Sequence, residues 1–124
     1  MSEQNSITKK DKIEAIDWLI ETFPAAFFKK SNTILPLKIG ILNDIIVFYD
    51  HLTNPPFSKQ ILREALQYYT SSHGYLSAQT INQARVDLYG NEVDEVTEEQ
   101  ARYAFKRQKA KAVMATIGKQ PNNS

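Results

Sequence analysis

The sequence contains no cysteine. Disulfides and thiolate chemistry are therefore excluded, and a zinc site would need histidines and carboxylates alone. Histidine is scarce too: only His51 and His73 occur, and neither has an E-x-x-H companion. The chain lacks a phosphate loop, a G-x-G-x-x-G and a G-x-S-x-G. A small hydrolase has only the two histidines in its favour, so the chain is expected to be no enzyme and to use no cofactor and no metal. No apolar run approaches the roughly 20 residues of a membrane helix. The opening MSEQNSITKKDK has no apolar stretch of the kind a secretion signal needs. These absences predict a cytoplasmic protein that makes no membrane contact. Excess charge is also missing, since 15 Lys and Arg against 14 Asp and Glu leave a net charge of +1. Many nucleic-acid-binding domains are far more basic, so an argument for such a partner must rest on where the cations lie.

What is present reads as one domain, mainly α with a small β-hairpin (α+β). At 124 residues one core can form without covalent staples. Residues 1–8 are expected to lack fixed structure, 9–118 to form the domain, and 119–124 to form a disordered tail. Ile13, Ile16, Ile20 and Phe23 recur at helical spacing and predict a helix from Lys9 to Thr22, ended by Pro24. A second helix fits Ile41–His51, and TNPP at 53–56 breaks the chain. Ser58 suits the N-cap of a third helix, from Lys59 to about Ser71, with Ile61, Leu62, Ala65, Leu66 and Tyr69 on its apolar face. The stretch SSHGYLSAQTI follows as a short helix or turn. In ARVDLYGNEVDEV the period changes to two around a Gly90-Asn91 turn pair, which predicts the hairpin. Thr97 and Gln100 form a capping box. It opens a last helix whose Ala101, Ala104, Phe105, Gln108 and Ala112 are expected to face the core.

Three groups of polar residues invite a functional reading. Asp87, Asp94 and Glu95 cluster at the hairpin, where charges commonly protect a sheet edge. Lys59 and Arg63 form a basic stripe with Thr70 beneath it, and Thr70, Ser71 and Ser72 follow in YTSSHGYL. Free N–H groups at a helix start, together with such hydroxyls, can hold an anion. Ordinary Ser/Thr capping explains the same residues without a ligand and is the simpler reading of this stretch alone. The last helix carries Arg102, Lys106 and Lys109 on one side and Arg107 and Lys111 on another. Such a helix serves RNA, a membrane or an acidic protein partner, or simply solvates the chain.

Three stretches together resemble the ProQ/FinO domain family of bacterial RNA-binding proteins. They are FPAAF followed by PLKIGI at 36–41, SKQILREALQYYTSSHGYL at 58–76, and ARVDLYGNEVDEVT at 84–97. The resemblance covers roughly residues 8–115 and implies a compact, mostly helical domain with a small hairpin. It also implies an RNA chaperone acting in post-transcriptional regulation, which binds structured RNA; separately, the chain is expected to be a monomer. The RNA would be the 3′ terminator hairpin and uridine tail of small regulatory RNAs and mRNAs. Carried over by position, the RNA surface would comprise Lys38, Lys59, Arg63, Thr70, Ser71, Ser72, an exposed Tyr75, and Arg85. Arg102, Lys106 and Lys109 form a secondary candidate surface. The sequence departs from the pattern at Gln67, where some relatives carry a cation, and at Gly74 and Glu92. A missing cationic contact implies weaker non-specific binding. The competing expectation is a protein-interaction module that docks its basic last helix on an acidic partner.

Overall fold

Thr8 opens the first helix. Its hydroxyl accepts from the Asp11 N–H at 3.1 Å, and Asp11 Oδ2 accepts from the Thr8 N–H at 2.9 Å. This reciprocal cap satisfies donors that the helix itself cannot. Helix α1 runs Lys9–Thr22, and Pro24 forces the preceding residue out of helical geometry. The computed structural model describes residues 6–119; most of the two ends expected to lack structure, residues 1–5 and 120–124, lies outside the described residues.

The register of α1 differs from expectation. Ala15, Leu19 and Phe23 form its buried line, while Ile13 is 41% exposed. Ile16 and Ile20 lie at the margin of the core. A small side chain at 15 lets α1 lie close to α3 (Lys59–Thr70), whose Ala65 is equally buried. Between them in sequence lie a short 3-10 turn at Ser31–Thr33 and α2 at Ile41–Tyr49. Trp18 adds an aromatic layer, with its ring edge-on to Tyr49 at 5.4 Å. The Tyr49 hydroxyl accepts from the Phe57 N–H at 2.6 Å and donates to the Phe57 carbonyl, which fastens the TNPP loop to the core.

Ser58 caps α3 by accepting from the Ile61 N–H at 3.1 Å. Helix α4, His73–Ala78, follows almost at once. A Cβ on Gly74 would stand 2.6 Å from Ser31 Oγ, so only glycine allows α4 this close to the 3-10 turn. The hairpin pairs β1 (Ala84–Val86) with β2 (Glu92–Glu95) antiparallel, with a bulge between Arg85 and Val86. At its turn, Asp87 Oδ1 accepts from the Tyr89 and Asn91 N–H groups at 2.9 Å each. The Asn91 N–H is the main cause holding this carboxyl below its ordinary range. PLKIGI runs alongside β1: the Val86 N–H donates to the Pro36 carbonyl at 3.0 Å, and the Lys38 N–H to the Val86 carbonyl at 2.8 Å. Gly40, at φ 84°, then turns the chain into α2.

Thr97 and Gln100 cap α5 reciprocally, at 3.1 and 3.0 Å. The helix spans Glu98–Lys119 and continues through Gly118, where a stop was expected. One glycine within a helix costs only about 1 kcal/mol. Ala104 is buried, but Phe105 is exposed and Ala112 lies in solvent, because α4 covers only the first half of α5.

One buried hydroxyl carries a pH consequence. Burial pushes Tyr69 up to about 12, opposed by the Phe28 backbone N–H it accepts and reinforced by nearby Tyr75. The folded chain thus keeps this proton at pH values where the unfolded chain, with a pKa of about 10, has released it. The associated stability is present below pH 10 and is lost as pH rises towards 12. Urea unfolding at pH 9, 10 and 11 is expected to show this decline, and Tyr69→Phe is expected to flatten it.

Candidate nucleic-acid interface

The bridge between PLKIGI and β1 sets Lys38 beside Arg85, and the α3–α4 corner brings Arg63, Thr70 and Tyr75 to the same side. Together they line a cavity of about 430 Å³, with Gln67 in its wall. A second cavity of about 620 Å³ shares Ile39, Thr70, Tyr75 and Arg85 with the first and continues towards α5. The two are lobes of one cleft.

Arg85 stands between the lobes and is only 4% exposed. Its guanidinium donates to the Leu37 carbonyl at 2.9 Å, to Gln79 Oε1 at 3.0 Å and to Gln100 Oε1 at 3.0 Å. Among the described residues it has no carboxylate partner, and its Nε has no hydrogen-bond partner. Gln79 is 8% exposed, and its Nε2 likewise lacks a partner. Buried polar groups are ordinarily paired, so the cleft floor presents a guanidinium without a carboxylate partner and two unused donors.

Tyr75 differs from the exposed tyrosine expected. It is 8% exposed, its hydroxyl accepts from the Leu37 N–H at 3.0 Å, and its ring lies 5.9 Å from that of Tyr69. The close seat of α4 on the 3-10 turn buries it. Tyr75 is therefore a fixed wall of the cleft, not a free stacking platform.

The hydroxyls divide. Ser72 Oγ accepts from the Tyr75 N–H at 3.2 Å and donates to the Tyr69 carbonyl at 2.8 Å, so it is the α4 cap and lies outside both lobes. Thr70 lines both lobes, with its hydroxyl donating to the Leu66 carbonyl at 3.0 Å. Ser71 sits at the rim, where Arg107 approaches its Oγ at 3.4 Å.

The cations divide as well. Lys38 Nζ reaches Asp44 Oδ2 at 2.7 Å at the mouth of the first lobe. Arg63 is exposed and is held by Gln60 Oε1 at 3.2 Å. Lys59 pairs with Asp50 at 2.6 Å and lines neither lobe. On α5, Arg102 pairs with Glu98 at 3.1 Å, Lys109 lies over the Phe105 ring at 5.4 Å, and Lys106 is exposed. None of those three lines the cleft. Arg107 does, together with Tyr103 and Glu99. The reason is helical phase: with Ala104 turned inwards, residues 103 and 107 lie together on one side of it while 102, 106 and 109 point away. Arg107, Tyr103, Gln79 and Gln100 carry no signal as single residues. The buried phase of Ala104 is the one clue that could have singled out Arg107 from its basic neighbours. Neither histidine lines the cleft: His51 Nδ1 contacts the Val47 carbonyl at 2.8 Å, and His73 lies against Gln108.

Comparison with known proteins gives a consistent result. The ProQ/FINO family model matches residues 9–119. An RNA chaperone ProQ of Aeromonas salmonicida is 36% identical over 121 residues, covering 97% of this chain and 56% of that protein. Its counterpart in Idiomarina loihiensis is 37% identical over 125 residues, covering 100% of this chain and 58% of that protein. The chain thus spans about half the length of the curated relatives it matches. Among solved structures, the solution structure of a ProQ homolog from Legionella pneumophila shares 54% identity at a TM-score of 0.75, covering 100% of this chain and 98% of that one. A FinO-like RNA chaperone from Neisseria meningitidis shares the fold at a TM-score of 0.63 and 21% identity, covering 90% of this chain and 88% of that one. Among the described residues, no helix is long and apolar enough to cross a membrane. The match over residues 9–119, with five α-helices and a two-stranded hairpin in the expected order among the described residues, shows that the chain belongs to the ProQ/FINO family.

Proposed function

We propose that the chain is a non-catalytic RNA-binding protein that recognises the 3′ end of structured transcripts and acts on them as an RNA chaperone. The observation that carries this reading is Arg85, buried between two lobes of one cleft and, among the described residues, paired with no carboxylate. An anionic group entering the cleft supplies what the protein withholds.

The preferred RNA is a terminator hairpin with a single-stranded uridine tail, as found on small regulatory RNAs and mRNAs. Duplex RNA offers phosphates and 2′-hydroxyls, with little readable base information in its narrow major groove. Lys38 and Arg63, at the mouth of the first lobe, follow the stem backbone, and Lys59 extends the same track outside it. The free end enters the cleft against Tyr75 and Arg85. A cleft that receives a chain end and not a continuous strand would let a chain of net charge +1 select its ligand by shape. One chain suffices for this geometry, and a monomer is the proposed active form.

The test uses one hairpin with a uridine tail ending either in a 3′-hydroxyl or in a 3′-phosphate. The last internucleotide phosphate already supplies the anion for Arg85, so a terminal phosphate adds bulk and a second charge that competes for the same cation. Its affinity is expected to fall at least tenfold, about 1.4 kcal/mol, in a fluorescence anisotropy titration. Equal affinities would remove the end-recognition model.

A further inference from the structure

Two apolar surfaces lie outside the cleft. The first is the second half of α5, which α4 does not cover. Val113, Met114 and Ile117 are each more than half exposed there. With Ala110 they follow the spacing i, i+3, i+4, i+7 and form one stripe. At about 100° per residue, the stripe lies roughly opposite Ala104 and Gln108, which face α4. Exposed Lys109 and Lys111 flank it, and no acidic residue occurs from Arg102 to Lys119. So short a helical segment is marginal in water by itself, and its aliphatic side chains gain by leaving solvent.

The second surface is a groove of about 220 Å³ between α1 and α3, lined by Ile13, Ile16, Ile20, Ile34 and Tyr68. Its volume is below the roughly 300–1,000 Å³ of small-molecule sites, which suits it to side chains. Asp17 and Lys29 are its charged residues. Glu14 and Glu21 stand three before and four after Asp17, so α1 gives one bank an exposed acidic row. No cation occurs between Ile13 and Thr22. Among the described residues, none of the three carboxylates has an ion-pair partner. Lys12, beside the groove, is already engaged, 3.9 Å from Glu64 and 5.8 Å from the Tyr68 ring centre.

We infer that the second half of α5 docks into the α1–α3 groove of a second copy of this chain. Charge complementarity selects that occupant. The lysines beside the stripe meet the acidic row beside the groove, while the stripe covers the isoleucines and Tyr68. A nucleic-acid backbone answers the lysines alone: it leaves the stripe wet and is repelled by the acidic row. A net charge of +1 sets up little repulsion between copies. The groove shares no residue with either lobe of the cleft, and the stripe lines neither. Each copy thus keeps its own RNA site, a single chain remains the binding unit, and the inference does not rest on the proposed function.

The experiment is sedimentation equilibrium of the full chain at low salt. The apparent mass is expected to rise from one chain towards two between about 10 µM and 1 mM, the weak association that a small contact supports. Val113→Gln with Ile117→Gln is expected to weaken association at least tenfold while hairpin RNA is bound within twofold of the parent. Both positions are exposed, and circular dichroism checks the fold. Charge reversal supplies the second arm. A chain with Asp17→Lys and Glu21→Lys, and another with Lys109→Glu and Lys111→Glu, are each expected to stay single. Their equimolar mixture is expected to associate again, because each then offers the charge the other needs. A wild-type mass of one chain throughout overturns the inference, as does association that the glutamine variant leaves unchanged or a mixture that stays single. If the glutamine variant instead loses RNA affinity, or loses binding to phosphatidylglycerol vesicles, with no change in mass, the stripe belongs to that ligand and the second copy is excluded.

Discussion

Arg85→Ala is expected to lower the free energy of unfolding by about 3 kcal/mol, read as a shift of the urea midpoint. The guanidinium donates to the Leu37 carbonyl and to the side chains of Gln79 and Gln100. Hydrogen bonds from a charged donor contribute roughly 1.5–3 kcal/mol each, and a buried acceptor left alone pays its desolvation in full. The sum is not additive. Water entering the neighbouring lobes recovers part of the loss, so the estimate is nearer to one such bond at full strength than to three. Arg85→Lys keeps the charge, but an ammonium cannot span the three acceptors. It is expected to cost roughly half as much and to remain folded. That makes it the cleaner probe of RNA binding, where a loss of more than tenfold is expected. An Arg85→Ala protein as stable as the parent would show that this side chain does not join PLKIGI, α4 and α5.

The other large effect lies behind the cleft. Phe27 is fully buried, and its ring meets Tyr69 at 5.1 Å and Phe23 at 6.5 Å. Removing such a ring costs about 3–5 kcal/mol through lost transfer energy and an incompletely collapsed cavity. At roughly 3–5 °C per kcal/mol for a domain between the small and the medium size classes, Phe27→Ala is expected to lower Tm by about 10 °C or more in a calorimetric scan. The loss also reaches the cleft wall, because Tyr69 is in turn neighbour to Tyr75. By contrast, a change at an exposed position far from these rings should stay within about 0.5 kcal/mol. If Phe27→Ala melted within a few degrees of the parent, the aromatic layer would not be the core that positions the cleft.

Local chemistry made much of this fold legible. Thr97 and Gln100 announce their capping box by spacing alone, and Ser58 announces its helix, because a cap is made by residues three apart. The period change at Val86 marks the hairpin for the same reason. The register of α1 was less legible. Ile13, Ile16 and Ile20 suggest one stripe, yet Ala15 and Leu19 form the buried line. Which side of a helix is covered depends on the partner helix, and sequence periodicity carries no term for it.

The cleft was legible where the family motifs carry it, at Lys38, Arg63, Thr70, Tyr75 and Arg85. What those residues do there was not. An arginine in a strand gives no sign of being buried, and Tyr75 gives no sign that a backbone N–H occupies its hydroxyl. Lys59 looks equivalent to Arg63 along the helix, but Asp50, from the preceding loop, draws it away. Arg107 was one of several similar cations until the phase of α5 separated it from Arg102, Lys106 and Lys109.

The Lys38–Asp44 and Lys59–Asp50 contacts also bear on how tightly any polyanion adheres. Each of these lysines already carries a built-in counterion, so association is an exchange of one anion for another. Fewer mobile ions are liberated than a tally of lysines suggests, and the electrostatic gain common to every nucleic acid shrinks accordingly. What survives this self-neutralisation is the part that depends on shape, which favours discrimination over adhesion.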